Sequence, residues 1–140
     1  MAVDDVKNRT RELYQKIGSL WCKAVKDNVV FNRYGWIHLS FRSGGQRRLP
    51  SDSKLRYHLF KHVHEIVSKS RVVFITDGVI TSKRKMRRSV KYYELVYYYK
   101  KDKLFVSVVL RRIEQGKLHY YSVRRASNKI KKALAKTGLL

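Results

Sequence analysis

The segment RYHLFKHVHEI, residues 56–66, carries acid-base groups at helical spacing. His58, Lys61, His62 and Glu65 fall on one flank of the apolar stripe, with His58 and His62 one turn apart and Glu65 three residues beyond His62. A carboxylate so placed can orient or charge an imidazole. RNA cleavage by transesterification needs two such groups, one to take the proton of the 2'-hydroxyl and one to protonate the leaving 5'-oxygen. The plain alternative is a solvated helix flank.

A second cluster lies in LHYYSVRR, residues 118–125, which brings His119, Tyr121, Ser122, Arg124 and Arg125 together. Arginine stabilises the extra negative charge of a pentacoordinate phosphorane, hydroxyls position it, and histidine moves a proton. The alternative is a packed aromatic strand whose arginines meet backbone phosphate. Tyr92, Tyr93, Tyr97, Tyr98 and Tyr99 in a neighbouring run offer faces to unstacked bases, although strand alternation turns about half of them inward.

Other chemistry finds less support. The His58/His62 pair lacks the glutamate of HExxH and has no third or fourth ligand at motif spacing, so no metal is expected. Gly44-Gly45 is not followed by Gly-Lys-Ser, which leaves no nucleotide-triphosphate site, and no cofactor is expected. The lone Cys22 reads as a buried thiol in a reducing compartment rather than a nucleophile.

The elements that must position these groups suggest one domain over residues 1–140, of α+β class. Apolar spacing predicts a helix over 4–25, and short β-prone runs around Asn32–Gly35 predict a hairpin over 29–41. The Gly-rich loop SGGQRRLP leads to a helix over 51–68. A curved antiparallel meander is expected over 71–125, with an Asp77-Gly78 turn and strong strands at 90–100, 104–113 and 118–125. A short basic helix over 127–136 follows.

Charge narrows the partner. There are 33 Lys and Arg against 10 Asp and Glu, a formal net charge of +23, where small domains usually manage with roughly 2 to 8. Such an excess destabilises a compact chain unless a polyanion neutralises it. RNA is the expected partner and DNA the other candidate, with phosphate contacts assigned to Arg47, Arg48, Lys83, Arg84, Lys85, Arg87, Arg88, Lys91, Arg111, Arg125, Lys129 and Lys132. No long apolar run or lipidation motif points to a membrane, and MAVDDVKNRTREL has no apolar signal core, so the cytoplasm is the expected compartment.

The order RYHLFKHVHEI, VVFIT, KYYELVYYYKKDKLFVSVVL, LHYYSVRR resembles the superfamily joining barnase, EndoU, colicin and RelE-like ribonucleases (BECR), especially its compact phage and mobile-element members. The resemblance covers roughly the last hundred residues and is architectural. It implies metal-independent RNA cleavage by a toxin-like effector, and an acidic antitoxin or immunity protein as a further partner. His58 and His62 match the helical histidines, His119, Tyr121 and Ser122 resemble the polar residues of the last strand, and Arg124 stands as the phosphate clamp. Glu94 is the one carboxylate in a central strand; RelE-like members use Lys and Arg instead of a glutamate base, and Lys91 or Arg111 are the matching positions. The competing expectation is a nucleic-acid-binding protein without catalysis, such as a phage regulator or an inhibitor occluding a nucleic-acid site.

Overall fold

The computed structural model describes residues 3–41, 46–81 and 86–138. Helix α1 (Val3–Ile17) stops where Gly18 takes a left-handed φ of 64°, a conformation glycine adopts without steric cost. The helix expected to reach residue 25 is therefore shorter. Its last stretch forms a hairpin instead, strands β1 (Ser19–Cys22) and β2 (Asp27–Val30), turning at Lys26 with φ 58°. Leu20 and Cys22 alternate inward, so residues that fit a helical stripe fit a strand as well. Cys22 is buried, and burial pushes its thiol pKa up.

The hairpin expected over 29–41 is also replaced, because helix α2 (Arg33–Ser40) follows β2. Asn32 caps it, its Oδ1 accepting from the Tyr34 and Gly35 amides at 3.1 and 3.4 Å. Gly35 sits where α2 meets the sheet: a Cβ there would lie 2.5 Å from Tyr14 Oη and 2.6 Å from Tyr120 Cδ1. Only glycine lets the helix approach that closely.

The helix expected over 51–68 is present in two parts, α3 (Pro50–Leu59) and α4 (Val63–Lys69), joined by a 3-10 turn at Phe60–His62. Proline at the first position of α3 lacks only an amide that a helix start leaves unpaired. Strands β3 (Val73–Thr81), β4 (Arg87–Tyr99), β5 (Leu104–Ile113) and β6 (His119–Arg125) then make the antiparallel meander, and α5 (Asn128–Lys136) ends it. No turn forms at Asp77-Gly78; β3 runs through both and pairs Asp77 with Lys91 and Gly78 with Val90. Because β2 joins β6 in parallel at Val30 and His119, the open sheet is mixed rather than purely antiparallel, in the order β1-β2-β6-β5-β4-β3. The class is α+β.

Register separates two faces. Tyr93, Leu95, Val106, Val108 and Leu110 point to the helices and form the main core with Val29, Leu39, Phe60, Val63, Ile66 and Tyr120. Phe74, Tyr92, Glu94, Val96 and Val109 point the other way. Helix α5 covers one end of that second face, where Ile130 and Leu134 pack with Val96, Phe74 and Phe105. Among the described residues no helix is long and apolar enough to cross a membrane.

Candidate phosphate-binding site

The uncovered part of the second face is made concave by β6. Its pairing with β5 slips between Val109 and Leu110, so that Ser122 faces Val109, Tyr120 faces Leu110, and Tyr121 is the extra residue. A bulge of this kind resets side-chain alternation, and Tyr121, Ser122 and Arg124 all reach the same cavity. His38 from α2, Arg48 from the segment before α3, Arg56 from α3, and Phe74, Thr76, Tyr92, Glu94 and Val109 complete its lining, around about 600 Å³.

Asp52 organises the arginines. It accepts from Arg48 Nη1 at 3.0 Å and from Arg56 Nε at 3.2 Å. Burial pushes its carboxyl pKa up, but the two guanidinium partners outweigh that and hold it below the usual range. Arg48 also donates from Nε to the His38 carbonyl at 2.9 Å, and Arg56 Nη1 donates to Ser122 Oγ at 2.7 Å and to the Val123 carbonyl at 3.1 Å. Each guanidinium has five N–H groups in a fixed fork, and the bonds above leave some of them uncommitted on both arginines among the described residues. Arg48 is buried with all three nitrogens engaged, whereas Arg56 Nη2 has no bond among the described residues.

His38 Nε2 lies 3.2 Å from Arg48 Nη2. Arginine only donates, so that nitrogen accepts and the ring proton belongs on Nδ1. Burial, then the charges of Arg48, Arg56, Arg111 and Arg124, push the His38 pKa down to about 4. The imidazole is neutral at pH 7 and stacked on Tyr121 at 4.3 Å, with the Arg111 guanidinium 4.5 Å from the same ring and Tyr92 edge-on to it. Opposite charge enters through Glu94, whose Oε1 accepts from Arg124 Nη2 at 3.1 Å. Its Oε2 is buried and has no hydrogen-bond partner among the described residues.

Tyr121, Ser122 and Arg124 thus meet in one place, but the three expected histidines do not join them. His58 is exposed and borders a groove with Val6, Arg9 and Thr10 of α1. His62 packs on Tyr99, on the helix-covered face, and burial lowers its pKa. His119 is 6% exposed and both ring nitrogens are engaged: Nε2 accepts from Arg111 Nε at 2.9 Å, and Nδ1 lies 3.4 Å from the Lys117 carbonyl. Its bond to Arg111 holds that guanidinium against Tyr121.

Of the residues assigned to phosphate contact, Arg48 lines the cavity and Arg111 flanks it. Arg47, Arg87, Arg88, Arg125, Lys129 and Lys132 are exposed elsewhere, and Lys91 faces Asp77 at 3.7 Å. Lys83, Arg84 and Lys85 lie outside the described residues, as does the Ser43–Gly45 part of the Gly-rich loop. His38 and Arg56 were not singled out by the sequence reading. The usable signal for His38 was Asn32, a capping residue ahead of a run with Trp36, Leu39 and Ser40 at helical spacing. No family model, curated protein or solved structure matches the chain.

Burial, then the Arg111 charge, push His119 down to about 4 as well. The unfolded chain, with its imidazole near 6.5, binds more protons between these values, so stability is full above about pH 6.5 and is lost as pH falls toward 4. The loss from His119 is expected to reach roughly 2 kcal/mol by pH 4.5. Urea unfolding at pH 7.5 and 4.5 should show His119→Gln losing less stability on acidification than the parent; equal losses would remove His119 from the account.

Proposed function

We propose that the chain is an endoribonuclease acting by 2'-hydroxyl transesterification, with the His38 cavity as its active site. The observation that carries this reading is one cavity that gathers His38 and the Glu94 carboxylate, an acid-base pair, with the guanidinium groups of Arg48, Arg56 and Arg124. A phosphodiester seated on the guanidinium N–H groups brings its 2'-hydroxyl toward the Glu94 carboxylate.

Glu94 takes the 2'-hydroxyl proton, O2' bonds to phosphorus, and the bond from phosphorus to O5' breaks. His38 protonates the departing O5'. His38 acts as acid in its doubly protonated form, which requires Nε2 to leave Arg48 Nη2 and take a proton; the negative charge of a bound phosphate favours that form against the burial and arginine charges that depress the imidazole. Arg48, Arg56 and Arg124 stabilise the phosphorane charge, a task that requires no metal in this scheme. Products are a 2',3'-cyclic phosphate and a 5'-hydroxyl.

Helices ahead of an antiparallel meander support placing the chain with the barnase, EndoU, colicin and RelE-like ribonucleases, with Glu94 rather than Lys91 or Arg111 as base and His38 rather than His58 or His62 as acid. DNA, having no 2'-hydroxyl, is bound and not cut. Incubation of end-labelled RNA with the purified chain in EDTA is expected to yield cyclic-phosphate ends; salt-sensitive binding without scission of RNA or ribosomes would leave a binding protein instead.

A further inference from the structure

A second basic concavity of about 610 Å³ opens toward the end of β4, lined by Lys23, Lys69, Arg71 and Lys100 with Tyr97 and Tyr98 beside them. The cations come from four places in the chain: the β1–β2 turn, the end of α4, the lead into β3 and the turn after β4. No carboxylate lines the cavity among the described residues. Among the described residues only Lys69 has an acidic partner, Glu65 at 3.7 Å on the exposed surface, and such a pair contributes little. Four cations around one concavity repel each other unless an anion enters.

The cavity is in line with the active-site pocket. Glu94, Val96 and Tyr98 share one face of β4, with Phe74 of β3 beside Glu94 and Val72 just ahead of β3. At about 3.3 Å per residue, Tyr98 is roughly 13 Å along the strand from Glu94. Val96 and Phe74 between the two cavities lie beneath α5, so a single strand leaving the pocket passes around that helix to arrive here, its phosphates meeting cations and its bases meeting tyrosine rings.

We infer that this concavity is a second binding site for the same RNA, taking a single-stranded flank beyond the scissile phosphate. The role of the flank in cleavage rests on the ribonuclease reading; its binding does not. The test compares Lys23→Glu/Arg71→Glu/Lys100→Glu with a charge-matched control, Arg9→Glu/Lys16→Glu/Lys61→Glu, all exposed positions. A long 2'-O-methyl RNA, which cannot be cut, is titrated by fluorescence anisotropy across salt. The cavity variant should bind about tenfold more weakly than the control, with a salt slope shallower by about 2 for three lost contacts. Cleavage of a dinucleotide should be equal in the two.

Equal RNA affinity in the two variants would overturn the inference. If the cavity variant alone loses affinity while the parent chain never cuts RNA, the second site stands and the ribonuclease reading falls. Should the triple variant lose its unfolding transition, Arg71→Glu alone, read against Arg9→Glu, makes the same comparison with one contact.

Discussion

Glu94→Gln is expected to lower kcat about 10²- to 10⁴-fold, the range removed with a general base, while RNA affinity changes little or improves. Glutamine keeps the shape of the side chain and an oxygen for Arg124, and loses the negative charge together with the capacity to take a proton. His38→Ala is expected to fall by a similar factor on ordinary RNA. The two are separable, because a 5'-thio leaving group departs without protonation. On such a substrate His38→Ala should recover most of its activity and Glu94→Gln should not. If Glu94 only balances the charge of Arg124, the glutamine variant will bind RNA differently and cut it at the parent rate.

The second large effect falls on Arg56. Its Nε and Nη1 are fixed by Asp52, Ser122 and the Val123 carbonyl, which leaves Nη2 as the edge that can face substrate. Lysine keeps the charge but cannot hold these partners and a phosphate together. Arg56→Lys is therefore expected to reduce kcat/KM about 10²- to 10³-fold, in the range of a lost transition-state donor, and to cost about 1–3 kcal/mol of stability through buried acceptors left unpaired. Arg125→Ala serves as the comparison, since Arg125 stands opposite Val106 at the exposed end of β6. It should weaken binding to all RNAs alike, lower the salt slope by about 0.7, and leave kcat intact. Comparable losses of kcat in the two variants would mean that charge, rather than the pinned fork, is what the cavity supplies.

Much of the frame was legible because local signals agreed. Alternation in 104–113 and turn residues at 100–103 and 114–117 gave the meander, and the short basic stretch 127–136 read as a helix is α5. Two regions were not, for identifiable reasons. Leu20, Trp21, Ala24 and Val25 continue the spacing of α1, so only the left-handed Gly18 reveals the break. Trp36, Ile37 and Phe41 are good strand formers, yet α2 forms because its helix packs through Gly35 onto Tyr14 and Tyr120, residues far away in sequence.

The candidate site was legible in part for a similar reason. The polar run Tyr121, Ser122 and Arg124 was visible, but a regular strand would send Tyr121 to the opposite face from the other two, and the bulge that unites them depends on pairing with β5. The histidines of residues 56–66 looked catalytic by spacing; α3 and α4 turn them to solvent or onto Tyr99 because Tyr57, Leu59, Phe60, Val63 and Ile66 claim the core. Arg56, at the head of that segment, is the side chain that reaches the cavity.

Phosphate chemistry at the His38 cavity leaves its signature in the ends of cut RNA. The parent chain in EDTA is expected to leave 2',3'-cyclic phosphate and 5'-hydroxyl ends, with the Glu94→Gln preparation leaving the RNA whole over the same interval. RNA left intact by the parent chain, or equal scission by the two proteins, would contradict it.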